Sequence, residues 1–293
     1  MKPAPFDYFA PATVEEAVAL LEQNGEEAKV LAGGQSLVPL LNFRLVRPKA
    51  LIDINGIPGL SYLKEDNGRL RIGALTRHRA VEHSPLVQQK HGLLFEAVKL
   101  IGHPAIRTRG TVGGSIAHAD PTAELPTLLT LLEGEVQAAG PQGRRTIKWQ
   151  DFFVSYFATA LEPGEICTEV VLPFPSPTAG WAFEEFCRRH GDFGLVGVAA
   201  LIESDGKNRC TEARLAIAGV GPMPVRATAA EQFLKGQELT ADAFEQAGQR
   251  VAEQIEPDSD LHASAEYRRH LAAVITARAL ARARERLKPR GGK

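Results

Sequence analysis

The chain has 293 residues, 44% of them hydrophobic and 24% charged, with 27 Gly and 19 Pro, a composition that fits a folded protein of two domains and excludes disorder and collagen. Its three cysteines, Cys167, Cys187 and Cys210, lack the close pairing that zinc sites and clusters use, so no metal centre is expected. Lys and Arg total 34 against 35 Asp and Glu, which gives no general reason to expect nucleic acid or a membrane surface, and the longest apolar run, residues 194–202, is far too short to span a bilayer.

The opening MKPAPFDYFAP has no apolar stretch of the kind a signal peptide carries, so a cytoplasmic location is the expectation. From Thr13 the sequence predicts a helix, with Thr13 and Glu16 at capping-box spacing and Val14, Ala17, Val18 and Leu21 on one face. Strands are expected at residues 29–32 and 50–54, closing a first small lobe near Asn55-Gly56. A second lobe follows, with a strand at 69–74, a helical turn at 76–82 and a helix at 93–101 ended by Gly102 and Pro104. Residues 124–132 read as a helix, 135–139 and 144–147 as a hairpin, and 169–172 as a strand stopped by Pro173 and Pro175. The Pro-rich run PFPSPTAG marks the expected domain boundary. Beyond it, antiparallel strands are expected at 182–189, 197–203 and 212–220, then helices at 226–234, 240–254 and 264–287. The fold class expected is therefore α+β, with domains 1–175 (lobes about 1–56 and 57–175) and 176–293, the latter a small antiparallel sheet followed by a helical bundle.

Two glycine pairs, Gly33-Gly34 and Gly113-Gly114, each lead into Ser or Gln. Without Cβ atoms in the way, consecutive backbone N–H groups can approach a phosphate, and Ser36 and Ser115 add hydroxyls. A pair of such segments favours a diphosphate held from two sides, although glycine pairs often only make turns. The dinucleotide fingerprint of a Rossmann fold is absent: the one Gly-x-Gly, Gly219-Val220-Gly221, runs into Pro222 and Pro224, where no helix can open. No Walker A sequence occurs either.

The stretch Leu31-Ala32-Gly33-Gly34-Gln35-Ser36-Leu37-Val38, taken with Thr111-Val112-Gly113-Gly114-Ser115-Ile116-Ala117-His118-Ala119-Asp120, resembles the pair of FAD-pyrophosphate loops of the molybdenum hydroxylase family, in its FAD-binding medium subunits of carbon monoxide dehydrogenase and xanthine dehydrogenase type. RRHGDF (188–193), GVGPMPVRA (219–227) and AEYRRHLA (265–272) resemble that family's C-terminal flavoprotein domain, so the likeness runs over nearly the whole chain. The resemblance implies a two-lobed FAD-binding domain of the PCMH type. It implies FAD contacts at residues 31–38 and 111–115, at Ala119 and Asp120, and at Glu124, which stands where Asp is common. It also implies contacts at Ile101, Ile166 and Cys167, and a flavin ring covered by Phe193. Glu184 stands where the xanthine oxidase branch has Lys, so that charge contact is not expected. No catalytic residue or metal ligand is expected on this chain.

The function so implied is an FAD-carrying electron-transfer subunit of a heteromeric molybdenum hydroxylase. Its partners would be a large molybdenum-cofactor subunit and a small [2Fe-2S] subunit, with NAD, oxygen or a quinone as external acceptor. The cysteine count agrees, because three cannot hold a four-Cys cluster. A standalone FAD-dependent reductase or oxidase of the same architecture is an alternative, as is a non-enzymatic nucleotide-binding subunit. Read from residues alone, Phe193 could instead be core, Cys167 a small buried hydrophobe, and Arg188 and Arg189 surface partners of Asp192. From residue 264 onward nine Lys and Arg face two Glu, a local +7 that leaves −8 for the rest. The basic side of the last helix is thus expected to be solvated or to dock an acidic partner.

Overall fold

In a computed structural model of the chain, residues 2–189 and 191–288 are described. Four sheets and their helices build the α+β fold expected from the sequence.

The first sheet is small and parallel, with Asp7–Phe9 and Ala28–Leu31 flanking Ala50–Asp53. Helix Val14–Asn24 covers it through Val14, Ala17, Val18 and Leu21. Thr13 caps that helix by accepting from the Glu16 N–H, while the Glu16 carboxylate accepts from the Ala12 N–H at 2.8 Å, close to the capping box that the spacing predicts.

The second sheet is antiparallel, in the order Leu63–Asp66, Arg69–Gly73, Ile166–Pro173, Glu135–Gly140, Gly143–Lys148. Its central strand Ile166–Pro173 is buried over seven consecutive residues, which explains why its sequence carries no polar alternation. Helices Gly92–Leu100, Val112–His118 and Glu124–Leu131 share one hydrophobic cluster with this sheet.

The third sheet, Gly180–Phe186, Val196–Ser204, Cys210–Ala218 and Val225–Arg226, is antiparallel and buried on both faces. Along Val196–Ser204 the side chains alternate between two cores. Ala199 and Leu201 join the cluster of the second sheet, whereas Val196, Val198, Ala200 and Ile202 join a cluster with helices Thr228–Leu234, Ala241–Gln254 and Ala265–Glu285. The apolar run at 194–202 is thus a strand with two dry faces.

Helix Ala265–Glu285 carries its basic residues in two settings, some paired within the chain and some exposed. Arg282 pairs with Glu184 and, at 3.3 Å, with Glu96; Arg286 pairs with Glu96 at 2.7 Å and donates to Trp181 O; Arg284 donates to Leu239 O. Arg268, Arg282 and Arg286 are therefore paired with carboxylates of the same chain, whereas Arg269, Arg278, Arg284 and Lys288 are exposed. Glu184, in place of the Lys of the xanthine oxidase branch, serves this contact. Arg290 and Lys293 lie outside the described residues, as does His190 of the RRHGDF segment. Among the described residues no helix is long and apolar enough to cross a membrane.

Candidate functional site

The first glycine pair follows strand Ala28–Leu31 and leads into a short helix, Leu37–Asn42, that the sequence reading missed. Gly34 has φ +71°, a left-handed conformation. Gln35 folds its Nε2 back onto Gly33 O at 3.1 Å and closes the loop on itself. The amides of Gly33, Gly34, Gln35, Ser36 and Leu37 donate to no acceptor among the described residues; the first amide of this stretch with a protein partner is Val38, which donates to Gly34 O. A run of unengaged N–H groups such as this is suited to hold an anion. Leu31 and Leu37 are half-buried beside the loop, and Val38 is exposed.

The second pair departs from expectation. Thr111–Ser115 is not a loop but the opening of helix Val112–His118. Here the amides are occupied: Val112 donates to Thr76 O, Gly113 to Ala74 O, Gly114 to the Thr111 hydroxyl and Ser115 to Thr111 O. The glycines allow close packing. A Cβ on Gly113 would lie 2.4 Å from Ala74 Cβ, and one on Gly114 would lie 2.6 Å from Thr111 Oγ1. Ser115 keeps its hydroxyl half-buried at the helix start.

The two segments touch. A Cβ on Gly33 would sit 2.6 Å from Arg109 O and 2.9 Å from Gly110 Cα, so the first loop rests on the backbone that enters the second helix. Beneath this contact lie residues that sequence reasoning did not select. Asn55 Nδ2 donates to Ala32 O at 2.7 Å and to Asp53 Oδ1 at 2.6 Å, Tyr8 OH donates to Asp53 Oδ2 at 2.6 Å, and Arg77 donates to Asn55 Oδ1 at 2.6 Å and to Arg109 O. Burial raises the Asp53 pKa, but the Tyr8 and Asn55 hydrogen bonds and the Arg77 charge outweigh it and hold the carboxyl below its ordinary range. Asn55-Gly56 carried only a lobe-boundary signal in the sequence.

A second group gathers where the two larger sheets meet. Asp120 Oδ1 accepts from the Thr122 N–H and hydroxyl, after Ala119 turns the chain with φ +53°. Glu124 opens helix Glu124–Leu131 and is half-buried; desolvation first, then the charge of Glu185 on strand Gly180–Phe186, raise its pKa to about 8. Burial raises Glu185 to about 7. Among the described residues neither carboxylate has a cationic partner within ion-pair distance.

The C-terminal motifs converge on the same junction. Arg268 of AEYRRHLA is buried and donates from Nη1 to Leu195 O, which ends the loop bearing Phe193, and to Gly219 O of GVGPMPVRA, while Nη2 meets Asp260 at 2.7 Å. Gly219 N–H in turn donates to Pro121 O, next to Asp120. Phe193 is 77% exposed, which overturns its reading as core. No ion pair joins Arg188 or Arg189 to Asp192 among the described residues; the two ends are joined by the Asp192 N–H donating to Arg189 O. Gly191 of this loop packs on the His103 ring, close in sequence to half-buried Ile101 at the end of helix Gly92–Leu100.

Ile166 and Cys167 stand apart from this surface. Both are buried at the start of the central strand, Ile166 in the cluster that Ala32 packs against and Cys167 in the main cluster, where burial pushes its thiol up to about 12. Any contribution from their side chains is through packing, as the small-hydrophobe reading of Cys167 anticipated.

The family described as FAD binding domain in molybdopterin dehydrogenase matches residues 4–175, and the CO dehydrogenase flavoprotein C-terminal domain matches residues 181–283. The 6-hydroxypseudooxynicotine dehydrogenase complex subunit alpha of Paenarthrobacter nicotinovorans is 42% identical over 99% of this chain and 98% of its own length. The carbon monoxide dehydrogenase medium chain of Hydrogenophaga pseudoflava is 39% identical over 96% of this chain and 97% of its own. A solved structure of carbon monoxide dehydrogenase from Hydrogenophaga pseudoflava, lacking the Mo-pyranopterin moiety of its cofactor, contains a chain that superposes with TM-score 0.95 at 40% identity, covering 98% of this chain and all of that one.

Proposed function

We propose that this chain, which belongs to the family of FAD-binding domains of molybdopterin dehydrogenases, is the flavin-carrying subunit of a heteromeric molybdenum hydroxylase. In that role it takes electrons from iron-sulfur clusters on a small partner subunit, which receives them from a large molybdenum-cofactor subunit. It then passes them to an external acceptor, NAD, oxygen or a quinone. It is an oxidoreductase subunit, and its cofactor is FAD. When bound, FAD supplies the exchange between carriers of single electrons and acceptors of pairs.

The observation that carries the reading is the run of five unengaged amides from Gly33 to Leu37, which suits the diphosphate of FAD and has no Cβ at its first two residues. Ser36 and Ser115 add hydroxyl donors from the two sides. Val112, Gly113 and Gly114 seat the second helix beside Ala32, with Thr111 fixing the helix start. We assign Ala119, Asp120 and Glu124 to the polar edge of the cofactor and the exposed ring of Phe193 to one face of the flavin, where stacking would order it. Leu31, Ala32, Gln35, Leu37, Val38 and Ile101 shape the walls, and Ile166 and Cys167 support them from beneath. Residues 1–175 then form the FAD-binding domain and 176–293 the C-terminal flavoprotein domain, with the cofactor between them. Nicotine-derived compounds and carbon monoxide appear in the names of relatives; substrate choice by this chain's holoenzyme falls to its large subunit.

The test is purification of the chain with and without co-expressed partners. Flavin absorption bands in the isolated chain are expected, as is copurification of a large molybdenum subunit and a small iron-sulfur subunit. A chain that takes up no flavin after reconstitution would sink the FAD assignment. Turnover of a small substrate by the chain alone would favour the standalone enzyme.

A further inference from the structure

The first glycine loop has few restraints of its own. Its amides from Gly33 to Leu37 engage no described acceptor, and its local bonds run from Gln35 Nε2 to Gly33 O, from Val38 N–H to Gly34 O and from Leu40 N–H to Ser36 O. What sets its position is a chain of hydrogen bonds that passes below it from one lobe to the other. Asn55 lies in the turn after strand Ala50–Asp53, which runs parallel to the strand feeding the loop, with Leu31 opposite Asp53. Its Nδ2 holds Ala32 O at 2.7 Å, and Asp53 Oδ1 fixes the Asn55 amide group by accepting from both its side chain and its backbone N–H. That orientation aims Asn55 Oδ1 at Arg77, which donates to it at 2.6 Å and with its other nitrogen grips Arg109 O. Arg109 O is the atom that Gly33 packs against. The Arg77 fork thus touches both halves of the site: the carbonyl under Gly33 directly, and the carbonyl before Gly33 through Asn55.

We propose that Arg77, acting through Asn55, is the positioning residue that sets the geometry of the amide cradle and thereby governs how tightly the chain holds a diphosphate. This rests on the assignment of residues 33–37 to the FAD diphosphate. The guanidinium is suited to the task because its donors lie in a fixed plane and can span two acceptors from different lobes; an ammonium is a point charge that cannot hold both in register. Asp53 and Tyr8 keep Asn55 from turning its amide, which would place an N–H against Arg77 and an oxygen against Ala32 O. Positive charge alone would also attract a diphosphate, so the proposal makes a separable claim: shape at Arg77 matters more than charge.

The experiment measures FAD and ADP affinity of the FAD-free full chain by fluorescence titration and calorimetry. The proteins compared are wild type, Arg77→Lys, Arg77→Gln, Asn55→Ala and the Asn55→Ala/Arg77→Gln double variant, with circular dichroism as a check on folding. Expected is a loss of roughly tenfold in affinity for both ligands in each single variant, the scale of one lost hydrogen bond to a charged donor. Arg77→Lys should fall with Arg77→Gln, and the double variant should be no worse than either single one. The pyrophosphate resonances of bound FAD in 31P spectra should shift in the same variants. Wild-type affinity in Asn55→Ala, retained affinity in Arg77→Lys, or additive losses in the double variant would overturn the proposal, as would variants that fail to fold, since the contact would then be structural. A Gly34→Val variant separates the two readings. If it binds FAD as well as wild type, the assignment of the loop fails; if it loses FAD while the Arg77 and Asn55 variants keep it, only the positioning role fails.

Discussion

Titrating the folded chain tests the carboxyl pair at the domain junction. Glu124 and Glu185 keep their protons to about 8 and about 7, against an ordinary 4.5. Their stabilising contribution is fully present below the unfolded value and is lost as pH rises through the folded ones, because the folded chain binds protons that the unfolded chain has released. His78 and His91 act in the opposite sense. Burial lowers both to about 4 from 6.5, so below 6.5 the unfolded chain gains the protons and stability falls toward acid. The two effects oppose each other through mildly acidic pH, and above it the carboxyls act alone. Integrating their release between about pH 6.5 and about pH 8 gives a loss of roughly 2 kcal/mol, or a drop of several degrees in unfolding midpoint at ~2–4 °C per kcal/mol. The assay is thermal unfolding of the FAD-free chain across that range, beside a Glu124→Gln/Glu185→Gln variant. The wild-type midpoint should fall and the variant's should stay nearly level. A variant that loses as much as wild type would refute the assignment of the slope to these two groups.

Gly113→Ala should destabilise the chain by ~1–3 kcal/mol, because the new Cβ meets Ala74 Cβ at 2.4 Å, Cα at 2.7 Å and O at 2.9 Å with no flexible side chain to yield, more than offsetting the ~1 kcal/mol gain in helix propensity; wild-type stability in denaturant would contradict the close approach. Arg268→Met should cost ~2–4 kcal/mol by leaving Leu195 O and Gly219 O without their donor, and Arg268→Lys should restore only part of it, as read by chemical denaturation. Phe193→Ala should leave unfolding unchanged within ~0.5 kcal/mol, since the ring is 77% exposed, yet weaken flavin retention; a stability loss without a change in flavin content would return Phe193 to the core. Glu96→Gln removes the partner of Arg286 and one partner of Arg282 at half-exposed positions, so its effect should be only ~0.5–1 kcal/mol and should shrink in high salt.

Most elements were legible because their signals are local. Thr13 with Glu16 and the hairpin around Pro141-Gln142 each fix an element within a few residues. The elements that escaped are short and rely on tertiary contacts. Strand Asp7–Phe9 exists only as a partner of Ala50–Asp53, and helix Val112–His118 begins with a glycine pair whose helix propensity is poor but whose lack of side chains allows the approach to Ala74. The ion pairs of the last helix escaped for a related reason. Charge counted along a sequence says nothing about Glu96 and Glu184, which arrive from elements about 100 to 190 residues away.

The two glycine pairs show why a motif of the right composition can carry two different physical tasks. Around Gly33-Gly34 the chain leaves N–H groups unengaged and then restrains the loop from below through Asn55 and Arg77. Around Gly113-Gly114 the N–H groups are all bonded within the protein, and the absence of Cβ atoms lets the helix start lie against Ala74 and the Thr111 hydroxyl. Only the first pair can act as a nest of donors. The second acts as a wall that delivers Ser115 and, through the Arg109–Gly110 backbone, a floor for Gly33. A valine at Gly34 and a valine at Gly114 should therefore fail differently. The first must abandon φ +71° and crowd Val38 and Leu31, altering the amides themselves, so ligand affinity should fall by more than the ~1–3 kcal/mol of strain in the FAD-free chain accounts for. The second collides with the Thr111 hydroxyl that caps the helix, so stability of the FAD-free chain should fall by ~1–2 kcal/mol, the worth of a lost cap, and affinity should follow from it. A folded Gly34→Val chain that keeps wild-type ligand affinity would show that the first pair is no nest of donors.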